Sequence, residues 1–294
     1  MAPATEMRSL HVKTRHKIAL ASAASALICR GRSLVGLGTV VDTVRAGFRW
    51  RLDLREGIDL AIYVLGQFER NTIRQYRRHV TNGAVVLDIG ANVGAHTLPL
   101  ARFAGPRGQV FAFEPTHYAY AKLCANLSLN PDLQVRVRVE QIMLTASGAD
   151  AIPESISSSW PLFDSPGRHT LHGGVARSTD GARIATLDSY VEQQGIRRVD
   201  FVKLDVDGHE CAVLDGAAET LKQFKPIIAV EIAPYALEEH GTSLADLLGG
   251  LRQHGYVLTH EDGSRPLPDA ASLGRMLAPG TSINALALPG RSSA

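Results

Sequence analysis

The chain has 294 residues, of which 45% are hydrophobic and 20% are charged, and its formal net charge is +2. These values are ordinary for a soluble globular protein that forms one large domain, or one domain with an extension, around a full core. The cysteines Cys29, Cys124 and Cys211 are odd in number and include no C-x-x-C pair. This pattern argues against a structural zinc site and favours a reducing compartment.

Charge is unevenly distributed along the chain. Residues 1–80 contain 14 Lys and Arg against 6 Asp and Glu, whereas residues 81–294 contain 17 against 23. The apolar run at 18–28 is Ala-rich, is followed by Arg30 and Arg32, and is too short to span a bilayer. We therefore predict a cytoplasmic protein with a basic N-terminal helix, which packs on the domain or makes peripheral contact with a membrane surface.

Residues 1–80 are predicted to form a helical and hairpin extension. Strands at 40–44 and 48–54 flank Arg45-Ala46-Gly47, and alternating apolar residues on one face of the second strand predict a β-hairpin. Those residues are Phe48, Trp50, Leu52 and Leu54. Helices are predicted at 59–65 and 69–79.

Residues 81–294 alternate strands and helices, which predicts an α/β domain with a mostly parallel sheet covered by helices on both faces. The strands are placed at 84–89, 109–113, 135–139, 200–205, 227–232, 256–260 and 282–288. The helices are placed at 94–103, 115–129, 186–194, 209–223 and 243–254. No helix is predicted between the last two strands, which are expected to pair as a hairpin and give the sheet an antiparallel edge.

One segment, residues 146–181, interrupts the alternation and is rich in Ser, Gly and Pro. A long stretch without predicted secondary structure inside a compact domain is usually functional or disordered. It lies between the third and fourth strands, so we expect it near the carboxyl ends of the sheet, where ligands bind in open α/β folds. It is therefore a candidate ligand-binding loop.

The chain from Val85 to Gly94 joins a buried-strand pattern to a glycine-bearing turn. Gly90 and Gly94 permit a close approach that a Cβ would obstruct, so a ligand can lie against the main chain. Asp88 stands where the dinucleotide pattern G-x-G-x-x-G has its first glycine. A carboxylate there repels a phosphate but accepts hydrogen bonds from an ammonium or a hydroxyl. S-adenosylmethionine, which has an amine, a sulfonium and a ribose but no phosphate, fits this turn.

A second acid follows the next apolar strand. Glu114 lies 26 positions beyond Asp88, where an acid binds ribose hydroxyls in βαβ cofactor sites. Either motif alone has an ordinary structural explanation, but together they favour a cofactor site. A nicotinamide-dependent oxidoreductase on a similar sheet is an alternative, which Asp88 disfavours because that cofactor carries phosphates.

Four predicted strands end in carboxylates, namely Asp88, Glu114, Asp205 and Glu231. Burying several acids at one sheet edge is costly unless each has a partner, so the pattern favours a cationic ligand or proton-transfer chemistry.

The turn after Asp205 adds further polar residues. Asp207 and Glu210 are interpreted first as residues that stabilise a helix N-terminus. His209 suits either local hydrogen bonding or general-base catalysis. A metal site formed by Asp205, His209 and Glu231 is an alternative by ligand type, although no metal ligand is assigned.

Five segments, in chain order, resemble the FkbM family of S-adenosylmethionine-dependent methyltransferases: Leu87–Gly94, Ala112–Pro115, Thr186–Asp188, Lys203–Glu210 and Val230–Glu231. The resemblance covers about residues 80–235. It implies a class I methyltransferase fold with a seven-stranded sheet, and methylation of a hydroxyl on a secondary metabolite or on a sugar in a glycan. Leu204 and Asp207 stand where the family has Ile and Glu, and the segment after the third strand lacks the family's frequent acid near the adenine.

These observations together predict an O-methyltransferase. The predicted catalytic residues are Asp205, His209 and Glu231, with His209 or Asp205 removing the hydroxyl proton and Glu231 orienting the acceptor. The predicted cofactor residues are Asp88, Gly90, Asn92 and Gly94 at the methionine end and Glu114 at the ribose.

The predicted partner is a small-molecule or glycan methyl acceptor, bound through the segment 146–181. Nucleic acid is not a predicted partner, because the core is net acidic and no base-flipping motif of the Asn-Pro-Pro-Tyr type is present. A non-enzymatic alternative is a cofactor-binding protein whose basic N-terminal segment docks to a membrane or a glycan.

Overall fold

In a computed structural model, the structure describes residues 14–163, 165–169 and 173–290. The first 13 residues of the predicted extension, four residues of the predicted loop (164 and 170–172) and the last four residues of the chain lie outside this described part.

The N-terminal elements follow the sequence prediction. They are α1 (Thr14–Leu34), β1 (Val40–Arg45), β2 (Phe48–Asp53), α2 (Gly57–Leu65) and α3 (Arg70–His79). Ala46 and Gly47 link β1 to β2 with positive φ angles of 48° and 79°, as in the two-residue turns that match the twist of a hairpin. Phe48, Trp50 and Leu52 are buried while Arg49 and Arg51 are exposed, which confirms the predicted apolar face.

Helix α1 packs on the rest of the protein along one side. Ser25 is fully buried, and its hydroxyl donates a hydrogen bond to the Leu54 carbonyl oxygen over 2.7 Å. Leu20 and Leu27 lie on the other side and are each 74% exposed. None of the helices in the described ranges has the length and apolarity needed to cross a membrane. Contact of α1 with a membrane surface stays a prediction.

The elements after residue 80 alternate as predicted. They are β3 (Val85–Ile89), α4 (Thr97–Ala104), β4 (Gln109–Phe113), α5 (His117–Ser128), α6 (Pro131–Gln134), β5 (Val137–Glu140), β6 (Ile142–Leu144), β7 (Ser155–Ser159), β8 (Val175–Ser178), β9 (Arg183–Ala185), α7 (Leu187–Gln193), β10 (Phe201–Leu204), α8 (Glu210–Asp215), α9 (Ala218–Phe224), β11 (Ile227–Ile232), α10 (Pro234–Glu239), α11 (Leu244–Gln253), β12 (Tyr256–His260), α12 (Ala270–Met276) and β13 (Ile283–Pro289).

Seven strands form one sheet in the order β12-β13-β11-β10-β3-β4-β5. Every neighbouring pair is parallel except those that include β13, which is antiparallel to both β11 and β12. Separate apolar clusters cover the two faces of the sheet. The predicted seven-stranded, mostly parallel α/β fold is therefore confirmed.

The last two strands pair antiparallel at one edge of the sheet, as predicted, with β12 outermost. Two other details of the prediction are wrong. A short helix, α12, does separate the last two strands, and the Asp269 side chain caps it by accepting a hydrogen bond from Ser272 N. The single helix predicted at 209–223 is divided into α8 and α9 around Gly216, where a Cβ would lie 2.1 Å from the Thr145 carbonyl oxygen.

The segment 146–181 is not without secondary structure. Strands β7 and β8 form an antiparallel pair within it, and β6 pairs with β9 across its ends. Its backbone is also tied to the N-terminal extension, because Gly57 N donates to Trp160 O over 2.9 Å and Leu162 N donates to Arg55 O over 2.8 Å. Ser-rich strands have no alternation of apolar residues, so hydrophobic periodicity could not predict them.

The N-terminal hairpin shares its apolar cluster with the main sheet. Trp50 and Leu52 pack in the same cluster as Val86 of β3 and Leu98 of α4. The hairpin is thereby fixed against the strand that leads into the glycine-bearing turn.

Candidate active site

A cavity of about 850 Å³ lies beyond the carboxyl ends of the central strands. Its size falls in the usual range for small-molecule sites. The turn after β3, the ends of β4, β10 and β11, and strand β7 contribute to its wall, and so do α1 and the segment before α3. The cavity therefore sits where ligands bind in open α/β sheets.

The four predicted carboxylates lie on four neighbouring strands. Along the sheet, Glu231 belongs to β11, Asp205 follows β10, Asp88 belongs to β3 and Glu114 follows β4. Glu114, Asp205 and Glu231 line the cavity, together with His209. Asp88 does not reach the wall.

The turn after β3 is shaped by close backbone contacts. Gly90 has a φ of +78°, and a Cβ there would lie 1.8 Å from the Asp205 carbonyl oxygen. The turn can thus approach the end of β10 only with glycine at this position. Gly94 has a φ of +90°, which side-chain-bearing residues rarely adopt, and a Cβ there would lie 2.7 Å from Leu123 Cδ1 of α5. Gly90 lines the cavity, but Gly94 does not.

Asp88 lies beneath this turn and is fully buried. Its Oδ2 accepts a hydrogen bond from Thr97 Oγ1 over 2.6 Å, and its Oδ1 is 3.8 Å from Lys203 Nζ. The predicted hydrogen bonds from a cofactor ammonium to Asp88 do not fit this placement. Asp88 instead supports the turn and the buried lysine from behind.

Lys203 is the central residue that the sequence prediction missed. It is 3% exposed, lies 3.0 Å from Asp205 Oδ2, and donates a hydrogen bond to the Gly90 carbonyl oxygen over 2.6 Å. Burial opposes its charge, but the attraction of Asp205 and Asp88 outweighs burial and raises the pKa of Lys203. The sequence did contain a signal for this role, because Lys203 stands inside an otherwise apolar strand and a buried lysine requires a charged or polar partner.

The surroundings shift the pKa values of Asp205 and Glu231 in opposite directions. Burial raises the pKa of Asp205, but Lys203 more than offsets that effect, so the pKa is lowered and Asp205 is charged. Burial and the charge of Asp205 raise the pKa of Glu231 well above its ordinary value. Ser282 Oγ donates to Glu231 Oε1 over 2.6 Å. Two neighbouring acids whose pKa values are pushed apart are suited to proton transfer.

Glu114 is fixed by its own loop. Its Oε1 accepts hydrogen bonds from Thr116 N and Thr116 Oγ1, and its Oε2 accepts one from Asn92 N over 2.9 Å. Because a carboxylate oxygen can accept two hydrogen bonds, Oε2 keeps one position for a ligand hydroxyl. Asn92 also donates from Nδ2 to Ser158 O over 3.2 Å, which ties the turn to β7.

His209 stacks on His240, with ring centroids 3.9 Å apart. Burial and the neighbouring His240 lower the pKa of His209 to about 4. The imidazole is therefore neutral at physiological pH and a weaker base than an ordinary histidine. Glu210 has the structural role expected of it, since its Oε1 accepts hydrogen bonds from Val206 N and Gly208 N.

The Thr186-Leu187-Asp188 segment lies outside the cavity and has a structural role. Thr186 caps α7, and the Asp188 carboxylate accepts hydrogen bonds from Glu219 N and Thr220 N at the start of α9. We expect Asp188→Ala to lower the free energy of unfolding by about 1 to 2 kcal/mol, as for other lost helix caps. Urea denaturation measures this loss. An unchanged denaturation midpoint, or a weakened affinity for S-adenosylmethionine, would contradict a purely structural role.

A metal site of Asp205, His209 and Glu231 finds no support in the described ranges. There, no group of three or more His, Cys, Asp or Glu side chains has an arrangement that could hold a metal ion.

The sheet order, the glycine-bearing turn and the acids at the strand ends are the features expected of the seven-stranded α/β methyltransferase fold. The family model described as the methyltransferase FkbM domain matches residues 88–258. The chain therefore belongs to the FkbM methyltransferase family.

Three curated relatives show the range of this similarity. Hexuronic acid methyltransferase AglP of Haloferax volcanii is 30% identical over 56% of this chain and 62% of its own length. The 31-O-demethyl-FK506 methyltransferase FkbM of Streptomyces tacrolimicus is 27% identical over 65% of this chain and 80% of its own. The 2-O-methyltransferase NoeI of Sinorhizobium fredii is 28% identical over 47% of this chain and 58% of its own length. The chain thus spans about three-fifths of the length of AglP and NoeI.

Solved structures with a similar fold are more distant. A methyltransferase FkbM from Methylobacillus flagellatus aligns with a TM-score of 0.44 and 16% identity, over 70% of this chain and 44% of that one. An S-adenosylmethionine-dependent O-methyltransferase from Thermotoga maritima aligns with a TM-score of 0.43 and 15% identity. The alignment covers 89% of this chain and 82% of that one.

Proposed function

We propose that this protein is an S-adenosylmethionine-dependent O-methyltransferase that acts on a hydroxyl of a sugar, a glycan or a secondary metabolite. The observation that carries the proposal is the convergence of Glu114, Asp205 and Glu231 on one cavity beside the Gly90 turn. Membership of the FkbM family supports it, as do relatives described as a 2-O-methyltransferase and a hexuronic acid methyltransferase.

The residues of the cavity fit S-adenosylmethionine. Gly90 leaves the turn without a side chain, so the methionine end can lie against the backbone there. The charged Asp205 suits a cationic ligand. Glu114 offers an acceptor to ribose hydroxyls, and beyond it Pro115 and Met143 give the cavity an apolar wall suited to the adenine. Asn92 lines the same cavity and can contact the methionine end, whereas Gly94 and Asp88 lie outside the cavity wall and hold the turn in place.

The cofactor supplies an electrophilic methyl group, and the protein has to align and activate the acceptor hydroxyl. Asp205 is charged and its side chain is 32% exposed, so it can accept the hydroxyl proton. Burial and Asp205 raise the pKa of Glu231 and so favour its protonated form, which can donate a hydrogen bond that orients the acceptor. His209 adds a neutral imidazole to the same cavity and is the second candidate for accepting the hydroxyl proton.

A labelled-methyl assay on fractionated glycan and metabolite extracts tests this function, with and without a chelator. Transfer of the label to a hydroxyl product is expected. Calorimetry with S-adenosylmethionine, and fluorescence titration with NADH, distinguish a methyltransferase from a nicotinamide-dependent oxidoreductase. Tight cofactor binding without transfer to any acceptor pool would instead favour a cofactor-binding protein.

Replacing His209 provides a test of its catalytic role. We expect His209→Ala to keep the wild-type affinity for S-adenosylmethionine and to lower kcat by about 100-fold, the lower end of what a general base contributes. His117→Ala is the matched control, because His117 is exposed at the start of α5 and outside the cavity wall. If His209→Ala turns over normally, Asp205 alone remains as the proton acceptor.

A further inference from the structure

The cavity has a second polar corner, which the reaction outlined above does not use. It is formed by Glu69, at the start of α3, and by His96, which follows the turn after β3. Glu69 lies outside the segment that matches the family model.

His96 presents a buried donor that has no hydrogen bond. The residue is 4% exposed, and within the described structure its Nε2 has no hydrogen-bond partner. Its Nδ1 lies 3.1 Å from the hydroxyl of Tyr76, which is 1% exposed. A buried tyrosine hydroxyl has to donate its proton, so Tyr76 donates to Nδ1 and the neutral ring carries its hydrogen on Nε2. Burial and the charge of Lys203 lower the pKa of His96 to about 3, which keeps the ring neutral.

Glu69 provides the matching acceptor. Its Oε2 is 3.7 Å from His96 Nε2, which is beyond hydrogen-bonding distance. Both residues line the cavity, so an oxygen beside the pair can lie about 2.8 Å from both atoms. Asn284 Nδ2 donates to the same Oε2 over 3.0 Å, and Asn284 also donates to Thr72 Oγ1. These contacts hold the carboxylate in place, while 30% of the Glu69 side chain remains exposed.

A hydroxyl group fits this gap better than any charged group. Its oxygen can accept the hydrogen of His96 Nε2, and its proton can be donated to Glu69 Oε2. A carboxylate in the gap would face the negative charges of Glu69 and Asp205. Among the cavity-lining residues that the structure describes, Lys203 is the only Lys or Arg, and it is already bound to Asp205 and Gly90 O.

We propose that Glu69 and His96 form a binding subsite for one hydroxyl of an uncharged polyhydroxyl acceptor, such as a neutral sugar. The proposal rests on the proposed function, because the methylated hydroxyl is the neighbouring one that faces Asp205. It differs from the acceptor named for the relative AglP, whose hexuronic acid carries a carboxylate.

The test measures binding and does not require the natural acceptor. The protein is saturated with S-adenosylhomocysteine and titrated with methyl α-D-glucopyranoside, with saturation-transfer NMR as the readout. We expect millimolar binding by the wild type and at least tenfold weaker binding by Glu69→Gln and His96→Asn. Glu219→Gln is the matched control, since Glu219 is 74% exposed and outside the cavity.

The pH dependence separates direct contact from a structural role. Burial and Asp205 raise the pKa of Glu69 to about 7, against the opposing effects of Asn284 and Lys203. The ionised carboxylate is the stronger acceptor, so wild-type affinity for the glucoside should rise between about pH 6 and about pH 8. Affinity of Glu69→Gln should not change over this range. Calorimetry with S-adenosylhomocysteine should give the same affinity for the wild type and all three variants.

Three results would overturn the subsite: no binding of the glucoside by the wild type, equal binding by Glu69→Gln, or tighter binding of the corresponding methyl glucuronide. Failure of the wild type to bind S-adenosylhomocysteine would count against the proposed function instead. Thermal denaturation of each variant identifies any weakened binding that comes from unfolding.

Discussion

Replacing Lys203 by methionine is expected to lower the free energy of unfolding by about 3 to 5 kcal/mol, the usual cost of breaking a buried ion pair from one side. Methionine keeps most of the apolar stem but removes the cation from Asp88, which is fully buried, and from Asp205. The carbonyl oxygen of Gly90 also loses its short hydrogen bond. Urea denaturation at neutral pH gives the loss directly.

The loss should depend on pH in a defined direction. The pKa of Asp205 is lowered in the folded wild type, so its ionisation stabilises the fold above the unfolded pKa near 3.9, and this stabilisation disappears as the pH falls. Without Lys203, both carboxyls have to take up protons. The difference in the free energy of unfolding between the wild type and Lys203→Met should therefore be largest at neutral pH and shrink towards about pH 4.

Lys222→Met is the matched control, because Lys222 is 75% exposed and pairs only with the exposed Glu219 among its described contacts. Its effect should stay within about 0.5 kcal/mol. A loss below about 1 kcal/mol in Lys203→Met would show that the lysine is dispensable for the stability of the turn.

Glu114→Gln is expected to weaken binding of S-adenosylmethionine by roughly 100-fold, which corresponds to about 2 to 3 kcal/mol. The amide loses the charge that would accept the ribose hydroxyls. In the wild type both carboxylate oxygens accept hydrogen bonds, whereas the amide has only one oxygen. Its NH₂ group therefore faces another donor, either Asn92 N or the N and Oγ1 of Thr116. Calorimetry with S-adenosylmethionine measures the change.

Glu140→Gln provides the comparison for this variant. Glu140 is also buried, and it is the last residue of β5, the strand next to β4. Its carboxylate contacts Tyr190 and Arg138 and does not line the cavity. Its affinity for S-adenosylmethionine should stay within about twofold of the wild type. An affinity of Glu114→Gln within about threefold of the wild type would remove Glu114 from the cofactor site.

The residues proposed for the cofactor half of the site have local sequence signals, so their approach to one sheet edge could be predicted. An apolar run, a glycine turn and a terminal acid occupy ten consecutive residues, and strand pairing then brings Glu114, Asp205 and Glu231 to one edge. The individual roles were harder to predict. Asp88 and Gly94 both belong to the motif, but Asp88 lies under the turn and Gly94 packs on α5. Only the tertiary structure shows which way each of these residues faces.

The subsite proposed for the acceptor could not be predicted, because its residues are far apart in the sequence. Glu69 and His96 meet only after α3 has packed beside α4, and Asn284 reaches them from the last strand. Strands β7 and β8 were missed because pairing within a Ser-rich segment follows no hydrophobic period. Helices α8 and α9 are separate because Gly216 contacts Thr145, a residue distant in the chain.

The backbone bonds between the N-terminal extension and the segment around Trp160 have a consequence for how substrate preference can be altered. Gly57 and Arg55 are hydrogen-bonded to Trp160 and Leu162, so the two segments form one wall although about a hundred residues separate them. An exchange of only one segment with a relative keeps these backbone bonds only if the new segment follows the same backbone path. We therefore expect a chimera to fold best when both segments are exchanged together and the Gly90 turn and Glu114 are left unchanged.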